Sequence, residues 1–200
     1  MTDVKALLQI DAAAEADYLA SWMRRVLSRT LRRQGVVLGI SGGVDSATTA
    51  ALAVRALGAD RVYGLLMPDR ETGATTRELA HRVANHLGIA HDEVDITPTL
   101  ETLGCYADRD EIVRRLHPGY APEDGFKIVI DGPGSGAFSF FSLISQGPDG
   151  ERRTRLSASD YLAIVAATNY KQRVRKAIEY HHADRLNYAV AGTPNRLEYD

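Results

Sequence analysis

Residues 36–57 constrain this chain most. An uninterrupted apolar run, Val36-Val37-Leu38-Gly39-Ile40, leads into Ser41-Gly42-Gly43-Val44-Asp45-Ser46, and an alanine-rich stretch follows at once and stops at Gly58. The apolar run is too short for a buried helix and is bounded as a strand of a parallel sheet would be. Two consecutive glycines free the backbone between strand and helix. Successive N–H groups can then face one anion, and the helix dipole adds favourable charge. The hydroxyls of Ser41 and Ser46 can donate to phosphate oxygens. Asp45 would repel a bare phosphate, so it reads as a ligand of Mg²⁺. The spacing differs from GxxxxGK[ST], because no lysine is present, and from the dinucleotide fingerprint GxGxxG.

The same alternation continues along the chain. Residues from about 11 to 33 read as an amphipathic helix, with Tyr18, Leu19, Trp22, Val26 and Leu27 at three- and four-residue steps. Residues 61–67 form a second strand ended by Pro68, residues 75–87 a second helix ended by Gly88, and residues 91–96 a third strand. Strands alternating with helices mean βαβ units, so the first ~96 residues are expected to form a doubly wound parallel α/β core. From about 97 to 157 proline, glycine and charge become frequent. Two apolar runs flank Asp131-Gly132-Pro133-Gly134-Ser135-Gly136, which reads as an inserted β-hairpin or flap with a loop at its tip. One long helix is expected from about 157 to 182, then an apolar strand over 186–191.

Composition excludes several classes. With 24 basic and 26 acidic residues the net charge is −2, which disfavours a nucleic-acid partner. A single cysteine, Cys105, allows no internal disulfide, and no run approaches the ~20 apolar residues of a membrane span. A soluble, cytoplasmic protein is expected. His181 and His182 are adjacent, and their side chains diverge too far on a helix to hold one ion.

Beyond the phosphate loop, Asn169-Tyr170-Lys171-Gln172-Arg173-Val174-Arg175 is followed by an apolar run and Gly192-Thr193-Pro194-Asn195-Arg196-Leu197-Glu198. SGGxDS after a strand resembles the signature of the PP-loop ATP pyrophosphatases. Together with N-x-K-x-R-x-R and G-T-x-N-x-x-E the chain resembles the ammonia-dependent NAD synthetase family within that class. The resemblance implies an adenine nucleotide alpha hydrolase-like fold in one domain, 1–200, carrying the insertion at about 97–157. It also implies that the C-terminal part of the family domain is absent from these residues.

The implied activity is an AMP-forming amide ligase. ATP adenylates a carboxylate, that of nicotinate adenine dinucleotide, and ammonia displaces AMP to give NAD. The ammonia is expected from solution or from a separate protein. By resemblance Ser41, Gly42, Gly43 and Ser46 bind phosphates, Asp45 and Glu198 hold Mg²⁺, and Thr193 contacts the ATP phosphates or the reacting carboxylate. The backbone at Leu66 and Met67 receives adenine, and Asn169, Arg173 and Arg175 bind the dinucleotide. A homodimer is expected. The alternatives are a ligase for another carboxylic acid, with Phe138, Phe140 and Phe141 lining its pocket, or a nucleotide-binding homologue without catalysis.

Overall fold

The computed structural model describes residues 9–131, 140–147 and 150–193. The chain divides into two compact units, one drawn from residues up to 96 and from 175 onward, the other from residues 97–174. Among the described residues no helix is long and apolar enough to cross a membrane.

In the first unit, Asp11 starts helix α1 (Ala12–Arg25) by accepting from the amides of Ala13 and Ala14 at 3.1 and 3.0 Å. Such a cap contributes about 1 kcal/mol. A π-helical turn, Val26–Leu31, ends it. Strand β1 (Val36–Gly39) leads to helix α2 (Val44–Leu57), then β2 (Val62–Leu66), α3 (Ala74–Leu87) and β3 (Ala90–Glu93). The three strands are parallel neighbours, in the order β3-β2-β1. A fourth, β7 (Ala189–Val190), lies parallel to β1 at the edge, with Val36 opposite Ala189. The core sheet is therefore completed from the far end of the sequence, and the parallel α/β expectation holds.

Alternation along β1 sends Val36, Leu38 and Ile40 to one face. There they pack with Ala50 and Ala53 of α2, Ala80 and Ala84 of α3, and Leu27. Burying a leucine such as Leu38 contributes roughly 1.5–3 kcal/mol, and the small alanines let both helices approach closely. On the other face, Tyr63 of β2 stacks on His182, which belongs to helix α7 (Tyr170–Leu186). Helices thus cover both faces, as a doubly wound sheet requires.

The second unit departs from the simple hairpin. Two helices, α4 (Thr97–Thr102) and α5 (Cys105–Leu116), precede an antiparallel sheet of β4 (Phe126–Asp131), β5 (Phe140–Gly147) and β6 (Gly150–Arg155), in that order. The expected pairing of the two apolar runs is present, with Ile128 opposite Leu143. The polar segment after them adds a third strand. Val113, Tyr120, Leu143, Leu156 and Ile164 form the core of this unit. Phe141 stacks on Tyr161 at 3.9 Å and Phe140 lies under the Arg155 guanidinium, so both aromatics are engaged in packing. Phe138 lies outside the described residues. The one long helix expected over 157–182 is instead two, α6 (Ala158–Thr168) and α7, meeting at Asn169.

Candidate active site

The loop after β1 is built by its own serines. The Ser41 amide donates to Ser46 Oγ at 3.2 Å, the Ser46 hydroxyl donates to the Gly43 carbonyl at 3.0 Å, and the Gly43 amide donates to Ser41 Oγ at 3.3 Å. Ser46 is buried, and its hydroxyl is spent on holding the turn. Gly42 sits at φ +79°, and a Cβ there would lie 2.8 Å from the Thr76 carbonyl oxygen and 2.9 Å from Leu79 Cβ. Only glycine lets the turn close against α3 in this way.

The result is an open helix N-terminus. Gly43 is the N-cap of α2 and no side chain caps it. The amides of Val44, Asp45 and Ser46 therefore have no intrahelical acceptor and face outward with the positive end of the dipole. Such a row of donors fits the oxygens of a di- or triphosphate. Asp45 and Ser41 are exposed at the rim. A carboxylate in that position offers hard oxygen ligands of the kind Mg²⁺ prefers, so the donor chemistry at Asp45 fits the ion. Glu198, the expected second ligand, lies outside the described residues.

The remaining expected residues fall in three places. Leu66 and Met67, both buried, end β2 at the same edge of the sheet as the loop. The Leu66 carbonyl accepts from the Val94 amide at 2.8 Å, and the Met67 carbonyl accepts from Nε and Nη2 of Arg175 at 3.3 Å each. Arg175 also pairs with the buried Asp69 at 3.5 Å. Its guanidinium is thus anchored on the β2 end. Asn169 and Arg173 are brought together, because the Arg173 amide donates to the Asn169 carbonyl at 3.2 Å where α7 begins. Arg173 is exposed there, and Lys171 lies over the Tyr106 ring. Thr193 stands just past β7, partly exposed.

The model of the NAD synthase family matches residues 15–115. Across 195 residues the chain is 50% identical to an NH₃-dependent NAD⁺ synthetase of Rhizobium meliloti, covering 96% of this chain and 58% of that protein. The chain belongs to the NAD synthase family. A Mesorhizobium japonicum relative of the same name is 48% identical over 97% of this chain and 61% of its own length. The chain thus spans about six tenths of these family members. Among solved structures, the NH₃-dependent NAD synthetase of Campylobacter jejuni superposes with a TM-score of 0.61 at 21% identity, covering 96% of this chain and 62% of that one. The family fold, a parallel adenine nucleotide alpha hydrolase-like α/β sheet, is the fold seen here.

Two residues at this edge escape the motif. Asp69 organises the turn after β2, accepting from the Glu71 amide at 2.9 Å and from the Thr72 hydroxyl at 3.2 Å. Pro68-Asp69-Arg70-Glu71-Thr72 is a polar turn segment whose Asx pattern is legible in principle. Glu179 is buried on α7 against Gly39, inside a helix whose neighbours are mostly polar, and no local pattern marks it.

Proposed function

We propose that the protein containing this chain is an ammonia-dependent, AMP-forming amide ligase that converts nicotinate adenine dinucleotide to NAD. The observation that carries the reading is the Ser41–Ser46 loop, with its uncapped helix N-terminus at the carboxyl end of a parallel strand. Family membership supports it. ATP binds with its phosphates on the amides of residues 44–46, and Ser41 and Gly43 shape the cradle. Asp45, with Glu198, would hold Mg²⁺, which would supply charge neutralisation for the departing pyrophosphate. Amides fixed before reaction cost no reorganisation as that charge develops. Asn169 and Arg173 take the dinucleotide, the guanidinium fork suiting its phosphates. Arg175, anchored on Met67 and Asp69, holds the β2 end against which adenine packs. Thr193 lies beside the reacting groups. The protein works in the cytoplasm as a homodimer.

The test incubates the protein with Mg²⁺-ATP, ammonium and nicotinate adenine dinucleotide, and weighs the products. AMP, pyrophosphate and NAD are expected in equal amounts. AMP formation with another carboxylic acid, but none with the dinucleotide, would overturn the substrate and leave the ligase chemistry standing.

A further inference from the structure

The outer face of α1 carries a pattern that the fold of its own unit does not use. Ala20 is buried and Met23 packs into the core of the first unit, so the inner face of the helix is committed there. Glu15, Tyr18, Trp22 and Arg25 are all exposed. At 100° per residue these four positions fall within an arc of about 80°, one stripe along the helix. Among the described residues, none of the four side chains makes a hydrogen bond, an ion pair or a ring contact. The steps between them are three, four and three residues, the spacing of a seam between two packed helices.

The stripe is symmetric about Ala20. Glu15 and Arg25 lie five residues to either side of it, and Tyr18 and Trp22 two residues to either side. A second copy of α1, laid against the first in the opposite direction, therefore meets its complement at every position. Glu15 of each copy faces Arg25 of the other, and Tyr18 of each faces Trp22 of the other. Two carboxylate–guanidinium pairs then flank a centre of four aromatic rings. Laid in the same direction, the helices would set Glu15 against Glu15 and Arg25 against Arg25, which costs free energy. A two-fold axis level with residue 20 generates the first arrangement and closes it at two copies. The geometry points to the outer stripe of α1 as a self-complementary docking surface, paired antiparallel with α1 of a second copy through Glu15–Arg25 contacts around Tyr18 and Trp22. The inference rests on the homodimer of the proposed function, and gives that dimer its contact surface and its direction.

Sedimentation equilibrium of the unaltered protein, of Glu15→Arg, of Arg25→Glu and of an equimolar mixture of the two variants tests it. Both sites are exposed, and changes of this kind cost the fold little. The unaltered protein should be a dimer. Each variant alone opposes like charges at both ends of the stripe, so its dissociation constant should rise about 10-fold or more. Mixed, the two should form a heterodimer close to the unaltered affinity, because opposite charges again meet at both ends. A dimer that neither variant weakens overturns the stripe as the contact and leaves the homodimer to another surface. Weakening that does not recover on mixing overturns the antiparallel pairing. A monomer for the unaltered protein overturns the inference and the homodimer together.

Discussion

At the scale of single residues, the phosphate loop stands on two kinds of group, those that shape it and one that carries charge. Gly42 shapes it. Alanine there would combine a strained positive φ with contacts of 2.8 and 2.9 Å to α3, so the turn must shift. Asp45 carries charge at an exposed position, and its side chain makes no hydrogen bond or ion pair among the described residues. Gly42→Ala should weaken pyrophosphate binding and lower the melting temperature together. Asp45→Asn should leave the melting temperature unchanged and slow pyrophosphate release on the order of 10²-fold. Coupled release and melting assays on the two variants separate the roles. Pyrophosphate release at the unaltered rate in Asp45→Asn would remove Asp45 from the metal site.

Elements show what the sequence makes legible. Strands β1 and β2 were readable because both faces are buried and the residues are continuously apolar. Helices α2 and α3 were readable because glycines end them. The phosphate loop was readable because its turn, donors and helix lie in six consecutive residues. Helix α5 was not, because it buries Arg109 and Asp110, paired at 2.9 Å, beside Tyr106 and Val113. Charges that satisfy each other inside a unit look like surface in a hydropathy pattern. Strand β6 is an edge strand of polar residues, and its pairing depends on β5 rather than on its own composition. Glu179 stayed hidden for the reason α5 did, since its charge is paired with Lys176 one helical turn away and so reads as surface. Glu198, expected to hold Mg²⁺, and the tip of the expected flap fall outside the described residues.

The second unit also carries a pH response. His117 is buried, its Nδ1 2.5 Å from Ser145 Oγ and its Nε2 2.8 Å from Thr154 Oγ1, which tie α5 to β5 and β6. Burial, and then the charge of Arg152, hold its pKa below the ordinary value of 6.5. On acidification the unfolded chain therefore takes up the proton first. The histidine costs stability as pH falls from about 6.5 toward the lowered native pKa, and the cost levels off below that. His182 on α7, lowered chiefly by burial, acts in the same direction. Melting temperature should drop between pH 7 and pH 5, and His117→Gln should show a smaller drop over the same range. An equal drop in both proteins would assign the response to other groups.

At the scale of the whole molecule, the question is what covers α1. The sequence suggests one apolar stripe, but the helix divides it. Ala20 is buried, and Met23 and Leu27 pack into the core, whereas Tyr18 and Trp22 are 60% and 48% exposed. At 100° per residue, positions 18 and 22 lie together on the side of the helix away from 20, 23 and 27. The stripe facing its own sheet is thus a different set of residues from the exposed aromatics. Aromatic side chains paired at i and i+4 and about half exposed among the described residues are of the kind that anchor protein interfaces. A two-fold axis would place the same pair from each copy in one patch, which closes the assembly at two. Light scattering at micromolar concentration should therefore give the mass of a dimer. Trp22→Glu, which puts a charge into the centre of that patch, should cost about 2 kcal/mol or more and raise the dissociation constant roughly 30-fold. Because Trp22 stands outside the core cluster of the described residues, the variant should keep the melting behaviour of the monomer fold. A monomeric mass for the unaltered protein would leave Tyr18 and Trp22 as surface residues and remove the dimer from the proposed function.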